Sequence, residues 1–523
     1  MRFLPIGPRT MLVELADLAT TLALHDALTS HPVAGVEEIV PAARTLMIRT
    51  APGVLADASL AEAIATLGLQ DGPTETSPAS VPVEIPVTYD GEDLDEVASH
   101  MGLSVAEVIE AHQAASWQVA FCGFAPGFAY LSGDDARFNL PRRKSPRTRI
   151  PAGSVALAAE FSGIYPQDTP GGWQLIGTTP VPMWDLSREP PALLRPGMRV
   201  RFVERRGVPV PVAAIPPAQE TPSTHAPALT LLSSAFPVLF QDEGRGGQAG
   251  QGVSASGALD ILALHRANRA VGNPAESPAL ELTLGPLEFR VEGSVTLALT
   301  GAGQASVAGR KLPAAAAFAT DAGDIVKIEP PAGGMRSYLA MRGGFHVESI
   351  LGSSATDTLA VIGPSPVTPG TQLQAAGHAV VAVGVPEAEP DLPKPGDLVT
   401  LPVTLGPRAD WFSPEVVDRF LTQEWRVTPQ SSRVGMRLEG AEPLTRADAR
   451  ELPSEGTELG AIQVPHSGQP VLFLADHPLT GGYPVIATLR LEAVTLAGQI
   501  PPGARIRFIA SAPFAPLIPP RTP

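Results

Sequence analysis

Three glycine-centred landmarks occur twice in this chain, in the same order. Gly127 in APGFAYL, Gly153 in PAGSVAL and Gly171 in PGGW are followed by Gly435 in VGMRLEG, Gly460 in LGAIQVP and Gly481 in TGGY, at separations of 308, 307 and 310 residues. Shared order and shared spacing predict two copies of one domain, and exclude a short-period solenoid. The copies lie among short apolar runs such as VEIPVTY, SVTLALTG and DIVKIEP, punctuated by 50 glycines and 57 prolines. Apolar runs bounded by turn residues read as short strands, hence as β-barrels or sandwiches. At 523 residues the chain is also too long for a single core.

The expected fold is mainly β, with an α+β N-terminal domain over 1–80. There TMLVELA and RTLMIRT read as strands. LATTLALHDALTSH and ASLAEAIATLGL read as helices, the second ending near Gly68. A β-rich unit is expected over 81–204. It contains the helix SVAEVIEAHQAA, with Ser104 and Glu107 at capping-box spacing, and closes on the strand GMRVRFVE. A Pro-rich linker follows over 205–227. Strand-rich units are expected over 228–390 and 391–511, with GALDILALHRANRAVGN as the main helix, and 512–523 reads as a loose tail.

A formal net charge of −16 argues against nucleic-acid or anionic-membrane binding through the whole surface. No apolar run is long enough to span a bilayer. The N-terminus meets Pro5, Arg9, Glu14 and Asp17 too early for a secretory signal, so a cytoplasmic location is expected. One cysteine, Cys122, excludes an internal disulfide framework and reads as a buried structural thiol. The chain carries no P-loop, no G-x-S-x-G and no H-E-x-x-H motif.

The candidate site residues come from the repeat. Gly171 and Gly172 precede Trp173, and Gly481 and Gly482 precede Tyr483. Paired glycines permit φ > 0 and close approach of a ligand. Each turn is therefore either a pocket edge or a hairpin with a core aromatic behind it. In the first copy, PRRKSPRTR concentrates Arg142, Arg143, Lys144, Arg147 and Arg149. Most of these read as solvated, and Arg147 is the expected ligand contact. Tyr165 and Gln174 complete that set. In the second copy, Asp476, His477, Thr480 and Tyr483 cluster at the turn, while Arg433 and Gln463 lie on the other landmarks. Together they suit a small amide and its carboxylate, with Asp476 or His477 for proton transfer.

At GFAPGFAYL, PRTRIPAGSVALAAEFSGIYP and PGGWQLIGTTP the first half resembles the allophanate hydrolase subunit 1 family, which includes the B component of bacterial 5-oxoprolinase. At GRGGQAGQGVSASGALD, ANRAVGNP, GGFHVESILGSSATD, SSRVGMRLEG and GAIQVPHSGQPVLFLADHPLTGGYPVIATL the second half resembles the allophanate hydrolase subunit 2 family, which includes the C component of the same enzyme. The resemblance implies a B–C fusion with multiple cyclophilin-like β-barrels: one in the first half, two in the second. It implies ATP-dependent opening of 5-oxoproline to glutamate with a separate A-type subunit, and ATP with Mg2+ in that complex. Alternatives within the resemblance are a biotin-dependent carboxyltransferase acting on urea or a related amide, and a KipI/KipA-like regulator of a histidine kinase. No lysine here is flanked by methionines, so biotin would arrive on a partner. A homo-oligomer is a further possible arrangement.

Overall fold

The computed structural model describes residues 1–70, 81–143, 145–205, 227–448 and 450–517. The Pro-rich segment lies outside the described residues apart from its ends.

The N-terminal unit is a four-stranded antiparallel sheet, in the order Arg2–Gly7, Thr10–Glu14, Thr45–Thr50, Val36–Pro41. Helices Leu18–Ser30 and Ala58–Gln70 accompany it. Asp17 caps the first helix by accepting from Thr20 N at 2.8 Å. Phe3, Val13, Leu46 and Ile48 pack with Leu24, Leu28 and Ile64 of the helices. The alternate residues Leu4, Leu12 and Met47 pack with Leu479 and Ala249 of the second half. Successive side chains of a strand point to opposite faces. The unbroken apolar runs TMLV and TLMI are therefore the signature of a sheet covered on both sides.

The repeat is visible strand by strand. The second copy is a closed seven-stranded barrel: Leu398–Leu405, Val485–Leu489, Ala461–Gln463, Val471–Phe473, Gly435–Glu439, Trp425–Val427, Arg505–Ala510. It closes by parallel pairing of its first and last strands in sequence. The first copy runs in the corresponding order: Val83–Val87, Gln174–Thr178, Ser154–Ala158, Phe161–Ile164, Ala129–Gly133, Trp117–Cys122, Arg199–Glu204. Val83–Val87 again pairs in parallel with the last strand, and the single bridge Thr88–Thr178 joins the remaining edges.

The cores correspond as well. Trp117 Nε1 donates to His112 O at 2.9 Å, and Trp425 Nε1 donates to Phe420 O at 3.0 Å. His112 stacks on Phe202, as Phe420 stacks on Phe508. Gly133 and Gly440 each leave room for their tryptophan: an added Cβ would lie 2.8 and 2.5 Å from the ring. Burial pushes His112 down to about 3, so it is a neutral core residue held by Tyr89 and Ser162. Burial likewise pushes the Cys122 thiol up to about 12.

The helix Val105–Ala114 begins with the expected capping box between Ser104 and Glu107. The helices Leu94–Met101, Pro414–Thr422 and Leu491–Gln499 are additions to the sequence reading. They are too short for periodicity to separate them from strands. Where one barrel is expected over 228–390, two sheets of six and five strands enclose one core, with Leu231, Phe289 and Ile328 from one and Leu282, Leu299 and Leu339 from the other. The segment from 512 is not loose as far as it is described. Leu517 N donates to Phe3 O at 2.9 Å, and Phe514 packs against both the second barrel and the N-terminal sheet.

A buried ion cluster fastens the N-terminal sheet to the second barrel. Arg408, 3% exposed, donates to Glu14 at 2.7 Å and chelates Glu455, while Arg2 bridges Glu14 and Asp410. Removing one member of a buried pair leaves its partner uncompensated. Arg408→Met is expected to destabilise the intact chain by about 3–5 kcal/mol in urea unfolding. Arg2→Ala, at a partly exposed pair, should cost no more than about 1 kcal/mol.

Candidate functional site

Each Gly-Gly turn forms one edge of a two-stranded ribbon. Thr169–Gly171 pairs with Arg147–Ile150, and Thr480–Gly481 pairs with Glu455–Gly456. None of Gly171, Gly172, Gly481 and Gly482 adopts positive φ, which corrects the expectation of left-handed turns. Close approach is what requires glycine in the first copy. A Cβ on Gly171 would lie 2.5 Å from the Tyr165 hydroxyl and 2.8 Å from Ile150 Cδ1. On Gly481 the nearest atom would be Thr457 Cγ2 at 3.2 Å, and on Gly482 it would be Leu452 O at 3.4 Å.

The following aromatics have opposite fates. Trp173 is buried among Phe128 and Tyr130. Tyr483 is 38% exposed and lines a cavity of about 1030 Å³. The first turn is thus the hairpin with a core aromatic, and the second is the pocket edge.

Both halves build this cavity. The first half contributes Phe124, Tyr130, Arg142 and Glu160; the second contributes Arg446, His466 and the Thr480–Tyr483 turn. The halves touch closely here, since a Cβ on Gly123 would lie 2.4 Å from Thr480 Oγ1. The next residue, Phe124, has φ +66 and is 40% exposed. A bulky residue held in the left-handed region is strained, and such strain clusters at ligand sites. Its ring stands edge-on to Phe128 and Tyr165. Arg446 donates to His466 Nδ1, which leaves the His466 proton on Nε2 in this bond pattern. The His466 ring lies edge-on to Tyr483. Thr480, Gly481, Gly482 and Tyr483 are the sequence candidates that line the cavity.

The other candidates lie outside its lining. Arg147 meets Asp93 through two donors at 2.8 and 2.9 Å and Glu92 at 3.0 Å, so the ligand contact expected of it is replaced by a protein carboxylate. Asp93 also accepts from Arg143 and from Leu175 N. Burial alone would raise Asp93, but bonds from Arg147 and Leu175 N hold it below the usual carboxylate range. Tyr165 is buried beside Gly171, Gln174 is buried near Pro141 O, and Gln463 lies in its barrel strand near Gly481.

Arg433, expected on a substrate carboxylate, is 6% exposed and committed to the protein. It meets Asp476 at 2.9 and 3.0 Å, Glu281 at 2.5 Å and Gly257 O at 2.6 Å. Asp476 also accepts from Ser256 Oγ and from the backbone and hydroxyl of Thr358. Burial would raise its pKa, yet the Arg433 guanidinium keeps it below the usual value. With these five bonds the carboxylate has no evident lone pair left for a substrate. His477 is buried against Phe473, with Nδ1 2.9 Å from Pro478 O, and burial lowers its pKa. Neither residue proposed for proton transfer reaches the cavity lining.

Comparison with known proteins follows the same division. Residues 1–194 match the carboxyltransferase domain, subdomain C and D, and residues 251–510 match the carboxyltransferase domain, subdomain A and B. The C component of 5-oxoprolinase from Escherichia coli (strain K12) is 37% identical over 294 residues, 54% of this chain and 90% of that protein. This chain belongs to the carboxyltransferase-domain family. The B component of 5-oxoprolinase from Escherichia coli O157:H7 is 48% identical over 132 residues, 25% of this chain and 61% of that protein. The crystal structure of TTHA0988 covers 96% of this chain and 99% of its own, at 34% identity and a TM-score of 0.83. The fusion of a B-type and a C-type part expected from the motifs fits these matches.

Sequence reasoning missed Phe124, Tyr130, Glu160, Arg446 and His466; Arg142, read as solvated, is exposed and also lines the cavity. Phe124, Tyr130, Arg142 and Glu160 lie far from the second turn in sequence, and only the docking of the two halves brings them to it, whereas Arg446 and His466 belong to the same half as the turn. In this carboxyltransferase-domain chain, Gly171→Ala should be the more damaging glycine change, lowering stability by about 1–3 kcal/mol through overpacking against Tyr165. Gly481→Ala should leave the melting temperature nearly unchanged.

Asp357, beside Asp476, supplies a pH prediction. Burial and then the Asp476 charge push it up to about 6. The unfolded carboxyl titrates near ~3.9, so the folded state keeps the proton to higher pH, and this group's contribution weakens as pH rises from about 4 to about 6. Asparagine can keep the bonds from Leu359 N and Ala360 N on one oxygen and donate to Ser254 Oγ. Asp357→Asn is therefore expected to stabilise the protein by about 2–3 kcal/mol at pH 7.5, with the gain vanishing near pH 4 in unfolding titrations.

Proposed function

We propose that this chain is the fused B–C component of an ATP-dependent 5-oxoprolinase, opening the 5-oxo-L-proline lactam to L-glutamate with a separate A-type subunit. The supporting observation is that the cavity draws its walls from both the B-like and the C-like half. In a two-chain enzyme such a site exists only in the assembled pair. Fusion makes that encounter intramolecular.

A lactam is a resonance-stabilised amide, so its hydrolysis needs activation. In the complex, phosphoryl transfer from ATP to the amide oxygen, with ADP leaving, would supply that activation. Among the described residues no group of three or more His, Cys, Asp and Glu is arranged to hold a metal ion. The sequence also carries no P-loop. The reading gives the nucleotide to the complex with the A-type subunit. What its own residues would do is bind and orient. Phe124, Tyr130 and Tyr483 would shield the ring from water. His466 and Thr480, which also line the cavity, would meet the amide.

The test is ATP hydrolysis by the chain co-purified with its cognate A-type subunit, with and without 5-oxoproline. Lactam-dependent turnover is expected from the pair and not from the chain alone. Tyr483→Ala should lower it roughly tenfold or more with an unchanged melting temperature, because the ring is partly exposed and supports no core. A genuine pair that ignores 5-oxoproline would overturn the reading. Carboxyl transfer from a biotin carrier to urea would replace it.

A further inference from the structure

The loop 141–149 carries arginines with different fates. Arg143 and Arg147 both bond Asp93, which is 3% exposed, and Arg149 bonds Asp168 at 2.7 Å. Arg142 has no hydrogen bond or ion pair among the described residues and lines the cavity. Its side chain is exposed, but the backbone on either side of it is held. Leu140 on one side forms a backbone bridge with Ala159, and Arg143 N on the other donates to Gly172 O at 2.9 Å. Asp93 thus anchors the loop by its neighbours and leaves one guanidinium uncommitted. Its charge is felt by the cavity-lining Tyr130 and by Tyr165.

An uncommitted guanidinium in a cavity with aromatic walls is suited to a carboxylate, which it can meet through two parallel N–H donors. The carboxylate Glu160 on the same wall is not within ion-pair distance of it, and Arg446 across the cavity adds a second cation. We propose that Arg142 is the residue by which this cavity distinguishes an anionic ligand from its neutral counterpart, in place of Arg433 and Arg147, which are committed to protein carboxylates. The assignment rests on the cavity being the substrate site, and it names a specificity residue that the lactamase reading leaves open.

Two ring-matched probes isolate the carboxylate: 5-oxoproline and 2-pyrrolidone, the same lactam without the acid group. Binding to the intact chain, alone and with its A-type subunit, is measured by calorimetry at low and high salt. The wild type is expected to prefer the acid by about tenfold or more, the preference shrinking as salt rises. Arg142→Ala should abolish that preference and leave 2-pyrrolidone binding unchanged. Arg142→Lys should restore part of it, and Arg149→Ala should change nothing. An Arg142→Ala protein that still prefers the acid, or a wild type that binds neither or does not discriminate, overturns the inference. The two readings fail separately. An Arg142-dependent acid preference without lactam turnover keeps this inference and removes the lactamase. Lactam turnover with an unchanged KM for 5-oxoproline in Arg142→Ala does the reverse.

Discussion

The buried Arg433–Asp476 pair, with Glu281 behind it, is the interaction on which the second half depends. One guanidinium joins the last barrel to the five-stranded sheet through Glu281 and to the loop at Gly257. Three segments distant in sequence are pinned at one point. The arrangement works because each acceptor is matched: Glu281 also takes Leu259 N and the Tyr338 hydroxyl, and Asp476 takes Ser256 and Thr358. A buried charge short of such partners would carry a penalty of several kcal/mol. Residues that look catalytic by type are here the fastening of the fold.

Duplication gave two barrels with one strand order, and docking then separated their roles. In the first barrel, Tyr165 and Trp173 fill the space beside the Gly-Gly ribbon. The second turns its ribbon to the cavity, where Tyr483 stays partly exposed. In the core the divergence is milder: His112 occupies the place of Phe420, neutral and stacked in the same way. Geometry inherited from the repeat is therefore no guide to which copy holds the ligand.

The N-terminal sheet explains why the halves belong together. It is apolar on both faces, one covered by its own helices and one by Leu479 and Ala249 of the second half. Arg408 crosses the same junction to Glu14, and Leu517 returns from the far end to Phe3. The cavity lies beside this junction, with Ala43 of the N-terminal unit in its lining. A site assembled by this much interlocking can hold its walls in register through packing and buried ion pairs.

Much of the local structure was legible in the chain. Spaced glycines revealed the duplication because turns and close approaches tolerate few substitutes. Alternating and continuous apolar runs revealed strands, and Ser104 with Glu107 announced a helix start. The Thr480–Tyr483 turn was legible only as a pocket edge or a hairpin with a core aromatic, and the sequence did not choose between the two. What stayed hidden was long-range: that Gly123 abuts Thr480, that Arg433 meets Glu281, and that among the described arginines of this stretch Arg142 stands uncommitted at the cavity. A residue's type states what it can bond. Only the packed chain decides which partner reaches it first, because burial makes any available carboxylate or carbonyl a better partner than the water it displaced.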